Sequence, residues 1–165
     1  MTNSDPLLLQ VGRLLLAWGH LEGTLNLAIV QLQWFSGHKE TRPSDDFDTR
    51  LKARLEKWRR IHAKHGDPAR LAAVDKVKLE ITSAAIVRHN LCHGFNAVAN
   101  PPLQAVCAVR EYGNMMDNKW SEAGAFYSLD ELRAETDRAD NLSREVFRLS
   151  TDLQAALSQT HQKGG

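Results

Sequence analysis

Apolar residues recur at three- and four-residue spacings over four long stretches of the chain. Each stretch reads as a helix with one buried face. The first carries Leu7, Val11, Leu14, Leu15, Trp18, Leu21, Leu25, Ala28, Ile29 and Leu32. That spacing persists for about seven turns, and Asp5-Pro6 provides a capping acid followed by a proline suited to a first turn. Ser36-Gly37 and Pro43-Ser44 mark a loop over 36–44. A second helix is expected after Ser44, with Asp45 and Asp46 at its positive end and Phe47, Leu51, Leu55, Trp58 and Ile61 turned inward. Gly66-Asp67-Pro68 breaks the pattern and caps a third helix, whose stripe runs through Leu71, Val74, Val77, Ile81, Ala84, Ala85 and Leu91 to a terminating Gly94. The fourth opens on Ser128-Leu129-Asp130-Glu131, a capping box. It continues through Leu132, Ala139, Leu142, Val146, Leu149, Leu153, Ala156 and Leu157.

Between the third and fourth helices the period changes. Asn100-Pro101-Pro102 interrupts the chain, 103–110 is rich in Val, Ala and Cys, and turn-like Gly113-Asn114 and Asp117-Asn118 precede the aromatic stretch 119–127. These features predict a small β-hairpin inserted at about 95–127, which must pack on the helices because two strands alone are marginal. The expected fold class is therefore mainly α: a four-helix up-down bundle with an inserted hairpin, one domain over 1–165 with a frayed tail at 161–165.

Composition narrows the partners more than the fold. Of 165 residues, 42% are hydrophobic and 25% charged, which is ordinary for a globular domain. With 21 basic and 20 acidic residues the net charge is +1, so any nucleic-acid site has to be a local patch. The densest basic segment is one face of the second helix, with Arg50, Lys52, Arg54, Lys57, Arg59, Arg60 and Lys64. It reads as a solvated face, or alternatively as a surface that tracks phosphates by displacing counterions. Cys92 and Cys107 are too few for a disulfide framework, and a reduced, cytoplasmic location is expected. The leucine-rich start lacks the layout of a targeting segment, and no stretch is long enough to span a bilayer, so no membrane partner is expected.

Two charged residues fall where the spacing reserves apolar ones. Glu22 lies between Trp18 and Leu25, and Arg88 continues the third helix's stripe. A buried carboxylate or guanidinium is costly without a partner. Either Glu22 reaches water at the stripe's edge or it pairs with Arg88. Arg88 opens the run Arg88-His89-Asn90-Leu91-Cys92-His93-Gly94, in which His89 and His93 share a helix face. A structural role is one reading: Arg88 neutralises Glu22 and His93 caps the helix end. Metal binding by His89 and His93 is another, but two ligands do not make a site and no further ligand accompanies them. Thiolate chemistry at Cys92 lacks any surrounding acyl-transfer motif. The fourth reading is RNA cleavage without metal. A base takes the 2′-hydroxyl proton, an acid protonates the departing 5′-oxygen, and a guanidinium stabilises the charged phosphate between them. Histidine and arginine suit those roles.

Arg88-x-x-x-x-His93, with polar His89 after the Arg, resembles the signature of the HEPN superfamily (higher eukaryote and prokaryote nucleotide-binding domains). The Asn90-Leu91-Cys92-His93-Gly94 run and Trp18-Gly19-His20-Leu21-Glu22 are similar to small stand-alone bacterial members. The resemblance implies a homodimer in which the two motifs face each other across a two-fold axis. Arg88 and His93 are five residues apart, about 140° around a helix, so two copies line a shared cleft more readily than one helix points both at one phosphate. The expectation is a metal-independent endoribonuclease, with no cofactor and no metal, leaving a 2′,3′-cyclic phosphate and a 5′-hydroxyl. In that reading Arg88 and His93 are catalytic, and His89, Asn90 and Glu22 bind or orient. A role as toxin or anti-phage effector is expected, with an antitoxin or regulatory protein as a further partner. The alternative from another class is a non-catalytic HEPN-like helical dimer that binds RNA, nucleotide or a protein.

Overall fold

The four apolar periodicities become four helices in a computed structural model, which describes residues 5–37, 50–99, 103–110 and 122–163. Helix α1 spans Asp5–Phe35, α2 Leu51–His65, α3 Pro68–Gly94 and α4 Leu129–Lys163. Among the described residues, no helix is long and apolar enough to cross a membrane. The 161–163 part of the expected frayed tail continues α4; 164–165 lie outside the described residues.

The ends follow the local chemistry for α3 and α4. Asp67 Oδ1 accepts the Arg70 backbone N–H at 2.8 Å, so α3 starts at Pro68 as its cap predicts. That hydrogen bond also holds the Asp67 carboxyl below the usual carboxylate range. At α4 the capping box closes in both directions. Ser128 Oγ accepts the Glu131 N–H at 3.2 Å, while Glu131 Oε2 accepts the Ser128 backbone N–H at 2.7 Å and its hydroxyl at 2.8 Å. Helix α2 differs from expectation. It begins at Leu51, after an extended Arg50 with φ −90° and ψ 119° and no side-chain cap. Phe47 and the expected cap region 44–46 lie outside the described residues.

The inserted antiparallel unit is present and holds one strand more than the hairpin expected. Strands β1 (Phe95–Ala99), β2 (Gln104–Arg110) and β3 (Glu122–Ser128) form a sheet in the order β1-β2-β3. Ala105 and Cys107 alternate into the core, as period-two geometry requires. β1 leaves α3 directly after Gly94, with no turn residue between them, so nothing local announces a strand.

The chain gathers into two compact units. One contains α1 to Trp18, α3 from Ala84, the sheet and α4 to Ala139; the other contains α1 from Gly19, α2, α3 to Ser83 and α4 from Asp140. In the first, Leu7, Leu14, Trp18, Leu91, Cys107 and Leu132 are buried, and Gln10 Nε2 donates to Thr136 Oγ1 at 2.9 Å. In the second, Leu25, Leu32, Leu55, Trp58, Val74 and Leu153 are buried. Trp58 Nε1 donates to Ser150 Oγ at 3.0 Å, giving that indole a polar partner in the core.

Helix direction in this second unit can be read from its cross-links. Thr24 and Ser143 share a hydrogen bond of 2.9 Å, and Gln154 Nε2 donates to Gln31 Oε1 at 3.0 Å. Both positions advance together, so α1 and α4 run in the same sense here. Arg59 clamps Asp75 through two nitrogens, and Lys78 donates to Glu56. Those positions advance oppositely, so α2 and α3 are antiparallel. Up-down alternation thus holds for α2 and α3 and not for α1 and α4. The stripes encode which face is buried and leave direction to the connections, which at 36–50 and 95–128 are long enough to allow either sense.

Candidate functional site on the last turns of helix α3

The run from Arg88 to Gly94 forms the end of α3, inside the first unit. Leu91 and Gly94 are buried and hold the helix down, so the helical period lifts His89, Cys92 and His93 into solvent. The rings of His89 and His93 lie 4.7 Å apart, centre to centre, at an interplanar angle of 50°. This is the i, i+4 pairing expected from the sequence. Arg88 is half-buried, one residue before this pair.

Asn90 points the other way. It is buried, and its Nδ2 donates to the Tyr127 hydroxyl on β3 at 2.7 Å. Tyr127 was missed by the reading of the sequence. The two residues are 37 positions apart, and no local pattern joins them. The bond ties the last turns of α3 to the sheet and so limits how far the two imidazoles can wander.

Glu22 belongs to the second unit. There its Oε2 accepts from Arg54 Nη2 at 2.7 Å, and Arg54 Nη1 donates to Asn26 Oδ1 at 3.2 Å. Arg54 is buried, so it leaves the basic outer face to which its charge had assigned it. A signal was available: at 100° per residue Arg54 falls between Ile61 and Trp58 on the inward arc, and His62 falls between Leu51 and Leu55. His62 is indeed wholly buried, with its ring edge-on to Trp58 at 5.1 Å. The outer face is further depleted by Arg59, which Asp75 neutralises. A phosphate-tracking surface on α2 is correspondingly reduced.

Chemically, the end of α3 offers two exposed imidazoles, a neighbouring guanidinium and an exposed thiol at Cys92, with Cys107 buried; both cysteines are free. Imidazoles can give and take protons near neutral pH, and a guanidinium binds oxyanions through paired donors. Among the described residues, no three His, Cys, Asp or Glu side chains gather where they would hold a metal ion. Compared with known proteins, the chain matches no family model, no curated protein and no solved structure.

Proposed function

We propose that this chain is a metal-independent endoribonuclease of HEPN type that acts as a homodimer in the cytoplasm. The observation carrying the reading is the adjacent, solvent-facing pair His89 and His93 on the helix turn that also bears Arg88. One imidazole removes the proton of an RNA 2′-hydroxyl as its oxygen attacks the adjacent phosphorus. The bond from phosphorus to the 5′-oxygen breaks, and a second imidazole returns a proton to that oxygen. The products are a 2′,3′-cyclic phosphate and a 5′-hydroxyl. Arg88 binds the phosphate and offsets the charge that builds on it. His93 is base or acid, supplied by each copy to a shared cleft, and His89 and Asn90 orient the RNA and the motif. Glu22, held by Arg54, contributes to placing the helices. A cell-directed nuclease of this kind suits a toxin or anti-phage effector, restrained by an antitoxin or regulatory protein.

The test is incubation of purified protein with RNA in EDTA, beside His93→Ala and Arg88→Ala, with the product ends identified by end-labelling. Cleavage by the wild type with a loss of about a hundredfold or more in each variant is expected. Equal cleavage by both folded variants removes these residues from the mechanism.

A second reading, a non-catalytic HEPN-like dimer that binds RNA, nucleotide or a protein, is favoured by one observation. Ile86 and Phe126 expose large apolar surfaces in the same unit as the motif, as binding surfaces do. RNA retained without being cut, with retention lost in Arg88→Ala, decides for it.

A further inference from the structure

Helix α1 is apolar on two faces, and only one of them is covered by the described residues. The stripe through Leu14, Trp18, Leu21 and Leu25 is buried. On the other side Leu9, Leu16, Leu27, Val30 and Trp34 are between 44% and 76% exposed. A helix apolar all round is ordinarily buried all round.

The exposed residues follow a register. Leu9, Leu16 and Val30 lie on one seven-residue row that passes through Gly23, and Leu27 and Trp34 lie on a second row three residues out of step, which also carries the exposed His20 and Arg13. Two rows repeating every seven residues are the pattern by which one helix lies along another. No Asp, Glu, Lys or Arg occurs between Gly23 and Phe35, and Glu22 is turned toward Arg54.

The glycines on this side point the same way. Gly12, Gly19 and Gly23 fall on the exposed arc, and a Cβ added at any of them would meet nothing within 4 Å. The chain's own packing does not ask for glycine there, although each weakens the helix relative to alanine. A backbone approaching closely from outside would ask for it.

We infer that this face of α1 is the seam on which a second copy of the chain docks, α1 against α1. Exposed to the degree stated, the five large residues offer roughly 600 Å² of surface. A standard interface takes about 800 Å² per partner, of which about 65% is apolar in homodimers. The area fits a stable two-fold contact. The 23–35 part of the seam carries no charge and matches itself at helical register, with Arg13 toward one end, whereas a charged partner surface would have to be desolvated against it without compensation. The inference deepens the proposed function by naming the surface of its dimer, and it stands on α1 alone.

The experiment is sedimentation equilibrium of the full chain at micromolar concentration. The variants are Leu16→Glu, Leu27→Glu and Gly23→Leu, with the exposed Leu79→Glu on α3 as control, and far-UV circular dichroism reports folding. The wild type and Leu79→Glu are expected to be dimers. The two seam carboxylates should raise the dissociation constant about a hundredfold or more. Gly23→Leu raises helix propensity and cannot unfold the protomer by that route, so its weakening of the dimer isolates the close approach at the seam. A monomeric wild type, or seam variants that dimerise as the wild type does, overturns the inference. RNA cleavage separates the two proposals. A dimer broken by Leu27→Glu in a protein that never cuts RNA leaves the seam standing and ends the nuclease reading. Undiminished cleavage by the monomeric variant ends the shared cleft alone.

Discussion

His62 is wholly buried on α2, and neither ring nitrogen finds a hydrogen-bond partner among the described residues. Burial, with the Arg70 charge as a smaller cause, pushes its pKa down from 6.5 to about 4. The folded chain therefore holds His62 neutral where the unfolded chain would protonate it. Stability from this group is complete above about pH 6.5 and drains away as the pH falls toward 4. Urea unfolding at pH 7 and pH 4.5 should show that loss, on the order of a few kcal/mol. His62→Leu should flatten that part of the profile, and an unchanged pH slope in the variant contradicts the account. The Arg54–Glu22 pair is the other residue-scale commitment. Its guanidinium is buried and its carboxylate partly so, so Arg54→Ala leaves an incompletely solvated negative charge. We expect a cost of about 2–3 kcal/mol. A double-mutant cycle with Glu22→Gln should return a coupling above about 1 kcal/mol; no coupling would mean the pair is incidental. Both residues had a legible position, since the helical period puts Arg54 and His62 on the inward arc. Charge assigns Arg54 to the outer face in the sequence, and His62 stands in neither the inward nor the outward set. Burial wins at Arg54 because Glu22 and Asn26 receive the guanidinium, and at His62 because imidazole can shed its proton.

At the scale of elements, local signals work where a few adjacent residues decide the outcome. The Ser128 capping box and the Asp67-Pro68 start each act within four consecutive residues, and both form as the sequence predicts. Asp45 and Asp46 read as cap acids and lie outside the described residues, while the helix itself begins at Leu51, after an extended Arg50 and without a side-chain cap. Strand β1 escaped notice for a related reason: five residues abutting a helix end carry too little pattern to separate a strand from a loop. What joins these elements is long-range. The bond from Asn90 to Tyr127 couples the end of α3 to β3. Tyr127→Phe should leave a buried amide donor unsatisfied at a cost of about 1–2 kcal/mol. It should also speed hydrogen exchange in the last turn of α3 while leaving α2 unchanged. Equal protection in both proteins would show that the sheet does not steady the motif.

Across the whole molecule, the helical stripes predict nearly all of the buried apolar side chains on α1, α3 and α4, and miss the buried polar ones such as Gln10, Gln33, Asn90, Ser143 and Ser150. The motif face was legible too: His89 and His93 come together and stand exposed because four residues is one helical turn. The uncovered face of α1 was not read. The inward stripe accounts for the helix by itself, and Leu16, Leu27 and Trp34 become notable only because they stand exposed among the described residues. If the α1 seam pairs two copies, the exposed imidazoles are duplicated in the assembly, as the cleavage chemistry proposed above requires.

The amino-acid order by itself determined where α1, α3 and α4 run, which face each of them buries, how α3 and α4 are capped, and that two imidazoles share one helix turn. These depend on residues three or four apart, and backbone geometry brings such neighbours together whatever the rest of the chain does. Only the tertiary structure decided that α1 and α4 run the same way in their shared unit, that Arg54 meets Glu22, that Tyr127 holds Asn90, and that the described residues leave one apolar face of α1 open. The pairings among those outcomes join residues from 32 to 123 positions apart. At such separations packing and desolvation choose the partner, and no local period records the choice.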